Sequence, residues 1–305
     1  YQPGDQVGWK GIEKFYEAEL HGQRGFRYIE VNALGQEIGE VEDRNPINPV
    51  PGNDLYLSID SYIQAAAEKA LADSSGAVVI LNHKTGEILA YASRPGYDLE
   101  MLSGRISSKD WDALISDPRK PLYHRGVQGL YPAGSTLKPI AALYSLENHS
   151  NALERTYTCR GSYRLGNRSF GCWKKTGHGK MNLHDAIQQS CNVYFYNLIQ
   201  DIGIEDWALL AREFGLGSPS GIDIPGESKG LVPDTQWMNR KYGQKKWTKG
   251  NLLNIVVGQG DNLATPLQLA QFAGMLAQRG TRYQPHFVTK VISKQGEVIL
   301  TNQFK

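Results

Sequence analysis

Tyr131-Pro132-Ala133-Gly134-Ser135-Thr136-Leu137-Lys138-Pro139 runs directly into the apolar stretch Ile140-Ala141-Ala142-Leu143. Proline is accommodated in a helix only near its first turn, so Pro139 predicts a helix that begins at about Ser135. Residues three apart share a helix face, which puts the Lys138 ammonium beside the Ser135 hydroxyl. A serine hydroxyl is a poor nucleophile at neutral pH and needs an adjacent base. Lys138 can serve if burial and the positive end of the helix lower its pKa and leave it partly neutral. Ser-x-x-Lys alone arises about once by chance in a chain this long, so its context decides. Downstream, Ser190-Cys191-Asn192 lies between the amphipathic stretch Leu183 to Ile187 and a helix expected to carry Phe195, Leu198, Ile199 and Ile202 on one face. Gly203 is expected to close that helix. Ser135, Lys138, Ser190 and Asn192 are therefore the candidate catalytic residues.

All three cysteines and one histidine fall in a single short stretch, as Cys159, Cys172, His178 and Cys191. Cys3His is a ligand set that tetrahedral zinc uses in structural sites, which makes zinc the expected cofactor. A disulfide with one cysteine left over is the alternative, and an oxidising compartment would favour it. In an extended loop alternate residues face opposite sides. Ser190 and Asn192 could then look into a cleft while Cys191 looks away, toward a metal behind the loop. Gly171, Gly177 and Gly179 supply the freedom a wrapped metal needs.

The 305 residues are 40% hydrophobic, enough for one large domain plus a smaller one. A formal charge of +2 implies no polyanion and hence no nucleic-acid partner. The basic cluster Lys245-Lys246-Trp247-Thr248-Lys249 reads as a solvated loop. No run reaches the length of a membrane helix, and the chain opens on Tyr1 rather than methionine. The linker Asn45-Pro46-Ile47-Asn48-Pro49-Val50-Pro51-Gly52 divides a polar, glycine-dotted module, residues 1–52, from residues 53–305. Asp60 can cap a helix with Ile63, Ala66, Ala67, Ala70 and Leu71 on its apolar face. Lys84-Thr85-Gly86, between the apolar runs Val78 to Leu81 and Ile88 to Ala92, reads as a hairpin turn. Thr265-Pro266-Leu267-Gln268 is a capping box with proline at the first helical position, followed by Leu269, Phe272, Ala273 and Leu276 on one face up to Gly280. An antiparallel sheet packed with helices, the α+β class, follows from this mixture.

Ser-x-x-Lys followed by Ser-x-Asn resembles the motif set of penicillin-binding proteins and serine β-lactamases. The segment from Gly11 to Glu17 with Leu20-His21-Gly22 resembles the N-terminal non-catalytic module (pedestal or dimerisation) of the class B penicillin-binding proteins. Gly52 to Asp60 resembles the entry to their transpeptidase domain, and Gly258-Gln259-Gly260 with Ala264 to Leu269 a late element of it. The phrases Ile106 to Trp111, Trp173-Lys174-Lys175 and Gly177-His178-Gly179 are similar to the penicillin-binding protein 2 subgroup of the elongation, or rod-shape, machinery. Some members of that subgroup resemble this chain in carrying a metal site behind the Ser-x-Asn loop.

The resemblance implies the penicillin-binding/transpeptidase fold, in which an antiparallel sheet lies between helical layers. It implies that Ser135 attacks the D-alanyl-D-alanine carbonyl of a peptidoglycan stem peptide with Lys138 as base. Ser190 would relay a proton to the leaving amine, and Asn192 would hydrogen-bond the substrate. β-Lactam antibiotics would acylate the same serine. A membrane glycosyltransferase partner and a site at the periplasmic face of the inner membrane, behind an N-terminal anchor absent from this chain, are implied too. The family also uses a Lys-Thr/Ser-Gly element downstream of Ser-x-Asn. Lys84-Thr85-Gly86 and Lys175-Thr176-Gly177 both lie upstream of Ser190, so neither fits, and the chain is expected to lack the C-terminal part with that element, leaving it short of one oxyanion donor. Two rival readings are a catalytically silent scaffold and a serine β-lactamase, the latter disfavoured by the extra N-terminal module and the length.

Overall fold

The structure is a computed structural model that describes all residues except 1–6, 42, 103, 105, 245 and 302–305. Lys245 of the basic cluster thus lies outside the described residues. The N-terminal module consists of the short helices Gly11–Phe15 and Glu17–Leu20 and an antiparallel hairpin of Ile29–Val31 with Glu37–Glu40. The proline-rich linker is not a free spacer: Ile47 and Val50 form antiparallel bridges to Phe26 and Gln23. Beyond it, Asp54–Leu57 pairs with Val288–Ile292, which also pairs with Val298–Thr301, so an antiparallel sheet ties the start of the larger domain to its far end. One buried carboxylate joins the two parts. Asp223 accepts hydrogen bonds from the Tyr16 hydroxyl at 3.0 Å and from the backbone N–H groups of Phe287 and Val288 at 2.7 and 2.9 Å.

Asp60 caps Ser61–Leu71 as expected, accepting from the N–H groups of Tyr62 and Ile63. Its inward stripe is narrower than the sequence predicts. Ile63, Ala67 and Leu71 pack on Val78, Ala90 and Ala92, whereas Ala66 and Ala70 are exposed. The place beside the stripe is taken by Gln64, whose amide accepts from Tyr91 N–H and donates to Tyr91 O, closing two backbone groups of the adjacent strand. The hairpin Gly76–Leu81 with Ile88–Arg94 forms as predicted, with Lys84-Thr85-Gly86 in its turn. This hairpin joins the three-stranded sheet through a parallel bridge between Glu87 and His286, with Ile88 N–H donating to His286 O and Asp60 N–H to Leu89 O at 2.9 Å each.

The main core surrounds Asn192–Glu213, on which Phe195, Leu198, Ile199 and Ile202 are buried as the spacing predicts. Gly203 breaks the helix but does not end it. At φ 78° and ψ 177° it forms a kink, after which Trp207, Ala208 and Ala211 continue the buried face. The capping box of Pro266–Ala277 is present, with Thr265 and Gln268 bonded reciprocally. Its buried face is rotated from the predicted one: Leu267, Gln268, Gln271, Phe272 and Met275 point inward, while Ala273 and Leu276 are exposed. The cause is polar. Gln268 donates to the carbonyls of Ser218 and Lys229, and Gln271 to that of Tyr283, so two glutamines occupy positions that a hydrophobic pattern assigns to solvent.

Candidate functional site

The helix of the opening motif starts in two stages. Gly134–Leu137 is one 3₁₀ turn that carries Ser135, and the α-helix proper runs Lys138–Asn148 with proline in its first turn. The tighter turn leaves Ser135 exposed while Leu137 and Lys138 point into the protein. Thr136 Oγ1 closes the turn by donating to Ala133 O at 2.6 Å.

Lys138 is 2% exposed, an unusual place for an ammonium group. Its three N–H donors are matched by three oxygens: Ser190 O at 2.7 Å, Ser190 Oγ at 2.9 Å and Asn192 Oδ1 at 2.7 Å. Among the described residues no hydrogen bond joins the ammonium to the Ser135 hydroxyl, so the lysine is held from the Ser-x-Asn side. Burial pulls its pKa down to about 8, with the Cys172 and Cys191 sulfurs opposing the fall. The group is therefore close to titrating at neutral pH, which a base needs.

Ser190-Cys191-Asn192 is not an extended loop but a tight turn between the helices Leu183–Gln188 and Asn192–Glu213. Ser190 sits in the left-handed region at φ 51°, a conformation that costs a non-glycine residue about 1–3 kcal/mol. That reversal has the outcome expected of alternation. Cys191 is wholly buried, and Ser190 and Asn192 are half-buried on the side of Lys138. Trp173, whose part here the sequence does not reveal, props the turn: its indole N–H donates to Gln189 O at 3.0 Å and its ring meets that of His178 edge-on at 5.1 Å.

Behind the turn, Cys159, Cys172, His178 and Cys191 converge, with their donor atoms all within 4.8 Å of one another. The thiols are free. Strand Tyr157–Cys159 pairs with Gly179–Met181, which brings His178 beside Cys159; Nδ1 is 3.5 Å from Cys159 Sγ and 3.6 Å from Cys172 Sγ. Gly177 is required there, because at φ 82° an added Cβ would lie 2.3 Å from Cys159 O. Burial raises the Cys172 thiol, but the backbone N–H groups of Lys174, Asn192 and Val193 outweigh it and hold the group below the ordinary thiol range. Burial pushes Cys191 up to about 12 and, aided by Lys174 and Lys138, lowers His178. Three cysteine sulfurs and an imidazole nitrogen converging on one point are the ligand types a soft divalent cation takes, so the donor set fits one. Among the described residues no hydrogen bond joins Lys84 or Lys175 to Ser135, Lys138, Ser190 or Asn192: the first is in the hairpin turn and the second in the loop after Trp173.

Active-serine proteins that pair a Ser-x-x-Lys helix with a Ser-x-Asn turn form the class this fold and site define. The "Penicillin binding protein transpeptidase domain" family matches residues 76–303, and the "Penicillin-binding Protein dimerisation domain" family matches residues 1–57. The chain belongs to the penicillin-binding protein transpeptidase family. It is 39% identical over 288 residues to the peptidoglycan D,D-transpeptidase MrdA of Acinetobacter baumannii, covering 94% of this chain and 42% of that protein. MrdA of Escherichia coli K12 is 35% identical over 290 residues, with 94% and 45% covered. Penicillin-binding protein 2 in complex with MreC from Helicobacter pylori superposes with a TM-score of 0.85 at 37% identity, covering 96% of this chain and 54% of that one. The chain spans about half the length of the curated relatives it matches.

Proposed function

We propose that the chain is part of a peptidoglycan D,D-transpeptidase of cell elongation. The observation that carries this is the buried Lys138, held by Ser190 and Asn192 at the foot of the helix that presents Ser135. Ser135 Oγ attacks the carbonyl between the terminal D-alanines of a stem peptide, and its proton passes to neutral Lys138. The C–N bond breaks, Ser190 relays a proton to the departing amine, and D-alanine leaves an acyl ester on Ser135. The amine of a neighbouring stem then attacks that ester, regenerates the serine and forms the cross-link. The Ser135 backbone N–H is one oxyanion donor, and Asn192 is the donor to the substrate's amide backbone. β-Lactams imitate the D-alanyl-D-alanine end and acylate the same atom.

Zinc belongs to this reading as a structural ion, with Cys159, Cys172, His178 and Cys191 as ligands, supplying cross-links that fix the Ser190 turn from behind. These four donor atoms, all within 4.8 Å of one another, would hold such an ion. Residues 1–52 are read as part of a pedestal module and residues 53–305 as the transpeptidase domain. By analogy with its relatives, the protein is read as working at the periplasmic face of an inner membrane. A glycosyltransferase and an MreC-like protein are its partners in this reading, in keeping with the solved complexes of similar chains with MreC and within a peptidoglycan synthase. Among the described residues no helix is long and apolar enough to cross a membrane. The test is D-alanine release in the full-length protein. A pentapeptide ending in D-alanyl-D-alanine, offered with an amine acceptor, should yield free D-alanine and the transferred product; steady hydrolysis of penicillin without transfer, or no reaction, would contradict the reading.

A further inference from the structure

Three backbone hydrogen bonds tie the stretch that carries Ser135 to one distant segment. Tyr131 and Ala264 exchange both of their backbone hydrogen bonds at 3.0 Å, and Gly134 N–H donates to Gly258 O at 2.8 Å. The segment itself is anchored to the end of the helix Lys249–Val256. Gly258 N–H donates to Ile255 O at 2.9 Å, and the buried Asn262 donates its side-chain amide to the same carbonyl at 2.7 Å. At Gly258 the two strands of chain approach as closely as bare backbones allow. An added Cβ would lie 1.9 Å from Gly134 O, 2.6 Å from Gly134 C and 2.7 Å from Gly134 N, all in the residue before the nucleophile. No side-chain rotation relieves such a contact, because every atom met is main chain.

We infer that the backbone at Gly258 and at Ala264 is a brace that sets the position of Ser135, and that Gly258 is a positioning residue for acyl transfer. The inference rests on the reading of Ser135 as nucleophile. Any side chain at 258 lifts the Gly134–Ser135 peptide off the brace and moves the hydroxyl relative to Lys138 and Ser190, which hold their own places through Cys191 and the core helix. Misplacement by about an ångström costs a reaction of this kind roughly 100-fold without touching the chemistry of any reacting group.

Gly260 provides an internal control. It has nearly the same left-handed backbone, φ 70° against 69°, so alanine there is strained to the same degree, yet its Cβ would meet only the Asn254 side chain at 3.2 Å. In the full-length protein, the maximal acylation rate and dissociation constant for a penicillin are measured for the parent, Gly258→Ala and Gly260→Ala, with hydrogen–deuterium exchange of the peptide covering residues 131–138. Gly258→Ala should lose roughly 100-fold in maximal rate with its dissociation constant unchanged, and exchange faster at 131–138. Gly260→Ala, which carries the backbone strain without the collision, should react close to the parent's rate. Equal losses in the two variants, or parental rate and exchange in Gly258→Ala, would overturn the brace. If Gly258→Ala does not fold, Asn262→Ala replaces it, since it loosens the anchor without a collision; unchanged rate and exchange there would also overturn it. A parent that fails to acylate sinks the nucleophile assignment instead, and the exchange comparison alone then decides the brace.

Discussion

The Lys138 ammonium lies 2.7 Å from Asn192 Oδ1, a contact that spans the two motifs and fixes which end of the asparagine amide faces the lysine. With the oxygen so engaged, the amide's Nδ2 points the other way, toward Gly171 O at 3.5 Å. Among the described residues no carboxylate bonds to the lysine, and burial lowers its pKa to about 8 against the opposing pull of the Cys172 and Cys191 sulfurs.

Acylation should therefore follow the neutral fraction of Lys138. Protonated lysine cannot accept the serine proton, so the rate constant for penicillin should rise about tenfold per pH unit below the apparent pKa and level off above about 8. A stopped-flow pH profile checks this. A rate that falls as pH rises through this range would exclude Lys138 as the base.

Asn192→Asp tests the same electrostatics with the opposite sign. A carboxylate in place of Oδ1 favours the ammonium, so the midpoint of the profile should move up by about 1–3 units, and the rate at pH 7 should fall by about tenfold or more. Recovery of the rate at high pH separates this effect from simple loss of structure.

Elemental analysis of protein purified without added metal should find about one zinc per chain. Chelation should lower the melting temperature, because metal binding and folding are linked. Cys191→Ser should abolish the metal and also slow acylation, since the turn bearing Ser190 and Asn192 loses its tether. Fewer than three free thiols after denaturation, with no zinc, would identify a disulfide instead.

Tyr16→Phe removes one of the three donors to the buried Asp223 carboxylate. A hydrogen bond to a buried charged group contributes about 1.5–3 kcal/mol, so denaturant unfolding should show a loss of that size. An unchanged midpoint would mean that the N-terminal module does not lean on this contact.

What the sequence made legible was set by local chemistry. Pro139 marked a helix start within one turn of its actual place, Asp60 and Thr265 announced their caps, and the clustering of Cys159, Cys172, His178 and Cys191 survived as a cluster in space. What it hid depends on partners far along the chain. Gln64, Gln268 and Gln271 are drawn inward because backbone groups elsewhere need closing, so hydrophobic periodicity mislabels Ala66, Ala70, Ala273 and Leu276 as core positions. The left-handed turn at Ser190 and the prop from Trp173 have no local signature either.

Peptide mapping by mass spectrometry after incubation of the full-length protein with penicillin tests the central claim most directly. The account predicts one acyl adduct per chain on the peptide bearing Ser135, absent from Ser135→Ala and much reduced in Lys138→Ala, which keeps the fold. An adduct that persists on another serine in Ser135→Ala, or a parent that forms none, would contradict it.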